Sequence, residues 1–140
     1  MYQVVDIRKA SDPHEVAVKA ARLLLEGHLV AFPTETVYLP TALSLNEPAV
    51  EKLRAAVNGT AATGFPLLVS SQEAALDFAP HMPQLARKLA KRCWPGPVTI
   101  AVDVSENEGL LSQLPTKSQE AVVQQGHVRF RVPAHNTVQD

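Results

Sequence analysis

The clearest periodic stretch opens at Asp12-Pro13-His14-Glu15, with a carboxylate at an N-cap position, proline at the first helical position and glutamate at the third. Val16, Ala20, Leu23 and Leu24 then recur at helical spacing on one face, and Gly27 supplies a left-handed stop, so the pattern predicts a helix over residues 13–26. His28-Leu29-Val30-Ala31-Phe32-Pro33 is nearly all apolar, the pattern of a central strand covered on both faces. A loop rich in Thr and Pro follows. Asn46-Glu47-Pro48 opens a second helix through Leu53 and Val57, and Phe65-Pro66-Leu67-Leu68-Val69 reads as a second buried strand. Ser70-Ser71-Gln72-Glu73 is a capping box for a short helix to about Ala79. Residues 83–92 make the next helix, with Leu85 and Leu89 inward. Its cations, Arg87, Lys88, Lys91 and Arg92, gather toward the C-terminal half, where they suit the helix dipole.

Residues 98–104 alternate with period 2 and end in a polar loop, which predicts a strand with one wet face. Residues 116–125 read as a helix closed by Gly126, and residues 127–132 as a last alternating strand stopped by Pro133. Strands and helices interleaved at these lengths predict an α/β or α+β sandwich. No repeat, low-complexity tract or Gly/Ser linker divides the chain, so residues 1–140 are expected to form a single domain.

Composition narrows the function classes. Thirteen Lys+Arg against 14 Asp+Glu give a formal net charge of -1, without the global basic field of a dedicated nucleic-acid binder, although a local patch remains compatible. The single Cys93 forms no intramolecular bridge, and no Cys/His spacing suits zinc, so the expectations are a reducing, cytoplasmic setting and no metal site. The N-terminus has no basic-then-apolar leader. The longest apolar run, residues 29–33, falls far short of a bilayer span, so no membrane partner is expected. Eleven prolines beside 5% aromatic residues describe many fixed turns around an aliphatic core.

Four stretches at predicted strand ends hold the candidate chemistry. In Pro33-Thr34-Glu35-Thr36-Val37-Tyr38, two hydroxyls and a carboxylate follow a buried strand, which is the ligand position of open α/β sheets. The same residues also suit a capped turn in which Thr34 and Thr36 bond their own backbone, the commoner outcome for such loops. Trp94-Pro95-Gly96-Pro97-Val98-Thr99 fixes a tight turn that delivers Thr99 into a strand, with Trp94 suited to a core lid. In Arg129-Phe130-Arg131-Val132-Pro133-Ala134-His135, period 2 puts both arginines on one face, either as a solvated exterior or as a fork for a carboxylate or phosphate. Residues 58–64, Asn-Gly-Thr-Ala-Ala-Thr-Gly, read by themselves as an uncharged linker. Cys93 has no His partner at fixed spacing that would make it a nucleophile, and no residue is assigned a catalytic role.

In this order, residues 29–38, 66–69, 94–99 and 128–135 resemble the YrdC/Sua5 family, over roughly Ser11 to His135. The resemblance implies the YrdC-like α/β fold, a twisted mixed sheet flanked by helices with a concave ligand face. It implies an ancestral activity as well. Family enzymes are threonylcarbamoyladenylate synthases, which join L-threonine, bicarbonate and ATP into threonylcarbamoyl-AMP and pyrophosphate, the first stage of threonylcarbamoyladenosine modification of tRNA. Related domains are described as binding nucleotides and double-stranded RNA. On that resemblance Thr34, Glu35, Thr36 and Tyr38 belong to the threonine and nucleotide pocket, Thr99 points into it, and Arg131 and His135 lie near the substrate carboxylate or phosphates, with Arg129 beside them. No tightly bound cofactor is implied; Mg-ATP enters as a substrate.

The chain also departs from that pattern. Leu39-Pro40 stands where the family has Gly-Leu, and Ala134 where it has Asp. The family's phosphate-binding Lys-x-Arg falls on Asn58-Gly59-Thr60, which removes both charges. Losing one such donor commonly costs about a hundredfold in rate. The family's Ser-x-Asn motif and further strands lie past Asp140, which predicts an open pocket wall and an unpaired sheet edge suited to pairing between two copies. The leading expectation is a divergent nucleotide- or RNA-binding relative with weak or no catalysis. The alternatives are an active synthase with rearranged phosphate contacts, and a double-stranded RNA-binding or regulatory module that uses the basic helix with Arg129 and Arg131, or binds tRNA.

Overall fold

The computed structural model describes residues 2–57, 64–104 and 108–135. Helix α1 (Pro13–Leu25) begins as its sequence predicts: the Asp12 carboxylate accepts from the His14 N–H and Pro13 fills the first position. Gly27 takes φ +82 after the helix, and an added Cβ there would lie 2.8 Å from the Asn46 amide nitrogen, so both backbone and space require glycine. The buried stripe is Ala17 and Ala20 rather than the bulkier residues beside them.

Strand β1 (Val30–Pro33) is not a central strand. It pairs antiparallel with β2 (Tyr38–Thr41) in a separate two-stranded sheet, with Ala31 exposed. The sequence concealed β2 because Pro40 interrupts its run, yet a proline is tolerated in a ribbon whose strands each have a free edge. Helix α2 (Glu47–Ala56) follows, its first turn capped by the Asn46 side chain on the Ala49 N–H at 3.0 Å.

A four-stranded mixed sheet forms the body of the protein, and β6 (His127–Arg131) is its centre. On one edge β4 (Ile100–Asp103) runs antiparallel, registering Ile100 with Phe130 and Val102 with Val128. The same two residues pair with Leu67 of β3 (Leu67–Leu68), which is parallel, and with Val123 of β5 (Val123–Gln124), which is antiparallel, so β3 and β5 share the opposite edge. Between β3 and β4 lie α3 (Gln72–Phe78) and α4 (Gln84–Cys93). Helix α5 (Thr116–Val122) is shorter than its sequence suggests, because Val123 and Gln124 leave the helix to pair with β6.

Alternation along β6 decides what each face does. Val128 and Phe130 are fully buried in a core with Leu67, Ala75, Met82, Ala86, Ala90, Ile100, Val102 and Leu111. Phe130 meets Phe78 at a ring separation of 6.3 Å and an angle of 53°. Arg129 and Arg131 occupy the other face. Leu85 and Leu89 do not face inward as their spacing suggests. They are 71% and 43% exposed, and the neighbouring stripe of Ala86 and Ala90 is buried instead, in line with buried Met82 before the helix and Trp94 packed after it. Both stripes have helical spacing. The one continuous with core residues at either end of α4 wins, and its alanines let the helix lie close to the sheet.

Candidate functional site

The loop of residues 34–37 between β1 and β2 is organised by its own hydroxyls. Thr34 Oγ1 donates to the Val37 carbonyl at 2.6 Å and accepts from the Val37 N–H at 3.1 Å. Because that hydrogen is already used, the 3.1 Å contact between Thr34 and Thr36 must be donated by the Thr36 hydroxyl. The self-capped turn thus accounts for both threonines, and it leaves Glu35 projecting from the turn.

Glu35 reaches the end of β6, ninety-six residues later in the chain. Arg131 Nη2 donates to Glu35 Oε1 at 2.6 Å and to Thr36 Oγ1 at 3.1 Å, and the Ala134 N–H donates to Glu35 Oε2 at 3.1 Å. The Glu35 side chain is 21% exposed although its backbone is open to solvent, and the Arg131 side chain is 10% exposed. Partial burial pushes the Glu35 carboxyl upward, but hydrogen bonds from Arg131, its own N–H and the Ala134 N–H, together with the Arg131 charge, outweigh burial and hold it below the usual carboxylate range.

A folded value below the unfolded one means that this stabilisation is complete above about pH 4.3 and is lost as pH falls through the folded value. Urea midpoints measured from about pH 6 down to about pH 3 are therefore expected to fall less steeply in Glu35→Gln than in the parent protein; parallel acid limbs would assign the acid sensitivity to other groups.

Around this pair the remaining expected residues are distributed unequally. His135 is half-buried, and its Nδ1 is buried without a hydrogen-bond partner among the described residues, as is Arg131 Nε. Arg129 is half-buried on the same sheet face, registered with Ala101. Thr99 is exposed two residues before Ala101, so strand alternation gives it that face too. Tyr38 turns away. It is 74% exposed. Hairpin register explains this, since Tyr38 pairs with Pro33 at the start of β2 and shares its outer face with Pro40.

Trp94 behaves as a lid: it packs against the core and its indole N–H donates to the Val98 carbonyl at 2.7 Å. On the helix-covered side of the sheet, Trp94, Lys91, Ser71 and Val132 border a cleft of about 330 Å³. Asn58, Gly59 and Thr60 lie outside the described residues. Among the described residues no group of three or more His, Cys, Asp or Glu side chains could hold a metal ion, and no helix is long and apolar enough to cross a membrane. Ala134 is the participant that sequence reasoning missed, because its contribution is a backbone N–H that no side-chain pattern signals.

A mixed α/β sheet bearing a carboxylate–guanidinium pair at the end of its central strand is the class this architecture defines, and solved structures share its fold. A doubly substituted variant of Pyrococcus abyssi Sua5 superposes with a TM-score of 0.79 at 32% identity, covering 99% of this chain and 40% of that one. Pyrococcus abyssi Sua5 complexed with L-threonine gives 0.69 at 34% identity, covering 94% and 36%. The family model described as telomere recombination, Sua5/YciO/YrdC, matches residues 22–140, and the chain belongs to this family. Among curated relatives, proteins named threonylcarbamoyl-AMP synthase are 37% identical over 74% of this chain in Pyrococcus abyssi and 35% over 69% in Bacillus subtilis. A third, from Cellvibrio japonicus, is 33% identical over 65%. The chain spans 30%, 28% and 47% of those relatives' lengths.

Proposed function

We propose that residues 1–140 act as one cytoplasmic threonylcarbamoyl-AMP synthase-like domain that binds L-threonine, and ATP more weakly, while forming the adenylate slowly or not at all. The observation that carries the binding half is the end of β6, where Arg131 is 8% exposed and its Nε lacks a partner, beside His135 with a buried, unpartnered Nδ1. With Nη2 held by Glu35 and Thr36, the charged group has its Nε–H left for an anionic oxygen such as that of a carboxylate. The relative solved with L-threonine supports the choice of ligand. The catalytic half rests on Asn58-Gly59-Thr60, where the charges that family enzymes aim at ATP phosphates are absent.

Incubation with L-threonine, bicarbonate and Mg-ATP is expected to release little or no pyrophosphate, while L-threonine shifts the amide resonances of Glu35, Thr36, Arg131 and Ala134. Release at a rate that consumes the ATP would establish an active synthase instead. A folded spectrum that neither ligand perturbs would remove the pocket reading altogether.

One observation favours RNA as a second reading. Lys88, Lys91 and Arg92 stand exposed on α4, with no hydrogen bond or ion pair among the described residues, whereas Arg87 is spent on the Met82 and Pro80 carbonyls at 2.8 and 2.9 Å. Duplex-RNA binding through the three free cations would weaken steeply with added salt.

A further inference from the structure

We propose that Glu35, seconded by Thr36, is a positioning residue: it acts through Arg131, fixing the direction of the guanidinium's remaining donors toward the ligand, and does not itself touch the ligand. The inference rests on the reading of the β6 end as a binding site and assigns its parts. Arg131 Nη2 is held by two acceptors on one loop, Glu35 Oε1 at 2.6 Å and Thr36 Oγ1 at 3.1 Å. Because a guanidinium is a rigid planar fork, fixing one nitrogen sets the direction of the others. The Nε thus fixed is buried and without a partner. A buried donor in that state is destabilising until an acceptor meets it, and with Nη2 already engaged the Nε–H is left to a single oxygen of a carboxylate or phosphate.

The loop side of the contact is committed to the scaffold. Glu35 uses Oε1 on Arg131 and Oε2 on the Ala134 N–H. The Thr36 hydroxyl hydrogen goes to Thr34, whose own hydrogen goes to the Val37 carbonyl, so the chain of donors that starts at Arg131 ends on backbone. The Thr34 hydroxyl, which also accepts from the Thr36 and Val37 N–H groups, is thereby fully used within the turn. Glu35 and Arg131 together are a neutral pair, so what they offer an incoming anion is direction and hydrogen bonding rather than net charge.

The test uses Glu35→Gln, which keeps the side chain's shape and removes its charge, with two readouts on the whole chain. The first is solvent exchange of the Arg131 Nε–H resonance in labelled protein, which needs no ligand. The second is L-threonine affinity by calorimetry. With the amide spectrum still that of a folded protein, exchange is expected to rise at least tenfold and the Kd to rise about tenfold, the scale lost when a supporting partner of a binding group is removed. Thr36→Val, which removes the other acceptor, should move both readouts the same way by less, and it serves as the test if Glu35→Gln does not fold. Unchanged Nε–H exchange in both variants would show that packing alone orients Arg131 and overturn the proposal. A tighter Kd would overturn it as well, by showing that Glu35 competes with the ligand. If the parent protein bound no L-threonine, the binding reading would fall while the exchange measurement still judged the positioning role.

Discussion

Replacing Arg131 with methionine is expected to abolish L-threonine binding and lower stability by about 2–3 kcal/mol. Methionine fills much of the same volume, so the loss isolates the guanidinium from the packing of its stem. Two acceptors then lose their donor, the Glu35 carboxylate and the Thr36 hydroxyl, while the Ala134 N–H keeps its bond to Glu35. The value sits below that of a fully buried ion pair because the Glu35 side chain, 21% exposed, can recover some hydration. In a domain of this size the change corresponds to a fall of about 8–12 °C in Tm. Arg131→Lys should regain part of the stability, since a cation returns near Glu35, but not the binding, since an ammonium cannot hold Glu35 and present a second donor edge together. Thermal melts paired with calorimetric titration separate the two. A methionine variant that binds L-threonine like the parent would sink the assignment of Arg131.

Truncating Phe130 to alanine carries the largest stability effect, about 3–5 kcal/mol. Phe130 is fully buried, meets the Phe78 ring at a tilt, and lies on the central strand where β3 and β4 both register with it, so no neighbour can move in without breaking a ladder. Since whole domains are stable by only about 5–15 kcal/mol, the variant should unfold at much lower urea, with an unchanged slope if the transition stays two-state. Phe130→Leu should recover more than half of the loss. An alanine variant within about 1 kcal/mol of the parent would mean that this core tolerates a cavity its packing does not suggest.

The contrast between these two neighbouring residues shows which features the sequence discloses. Alternation over Val128-Arg129-Phe130-Arg131 announced a strand with apolar and cationic faces, and the strand is there. Alternation cannot say that Arg131 would be buried, because its cover comes from a loop some ninety-six residues away. Capping signals at Asp12, Asn46 and Ser71 were legible for the same reason that they work: each depends on a few adjacent residues. Choices between equivalent local patterns were not. Leu85 and Leu89 carry the same helical spacing as Ala86 and Ala90, and only the packing of Met82 and Trp94 decides between them. Strand β2 was hidden by Pro40, and the end of α5 by a tertiary demand on Val123 and Gln124. At the site, the resemblance directed attention to the loop of residues 34–37, which meets Arg131. The geometry within it, with threonines turned onto their own backbone and a glutamate turned onto an arginine, required the fold.

The span between Glu35 and Arg131 also bears on the order in which the molecule is made. Contacts that close large loops come late in folding, since the entropy of joining distant segments is lost before the contact repays it. The β1–β2 ribbon and α1 can form from local sequence as soon as they leave the ribosome, but the guanidinium that meets the ribbon's loop belongs to a strand nearly the whole domain later. If L-threonine binds here as proposed, its recognition requires both segments to have met, and the ligand would report completion of folding as well as occupancy.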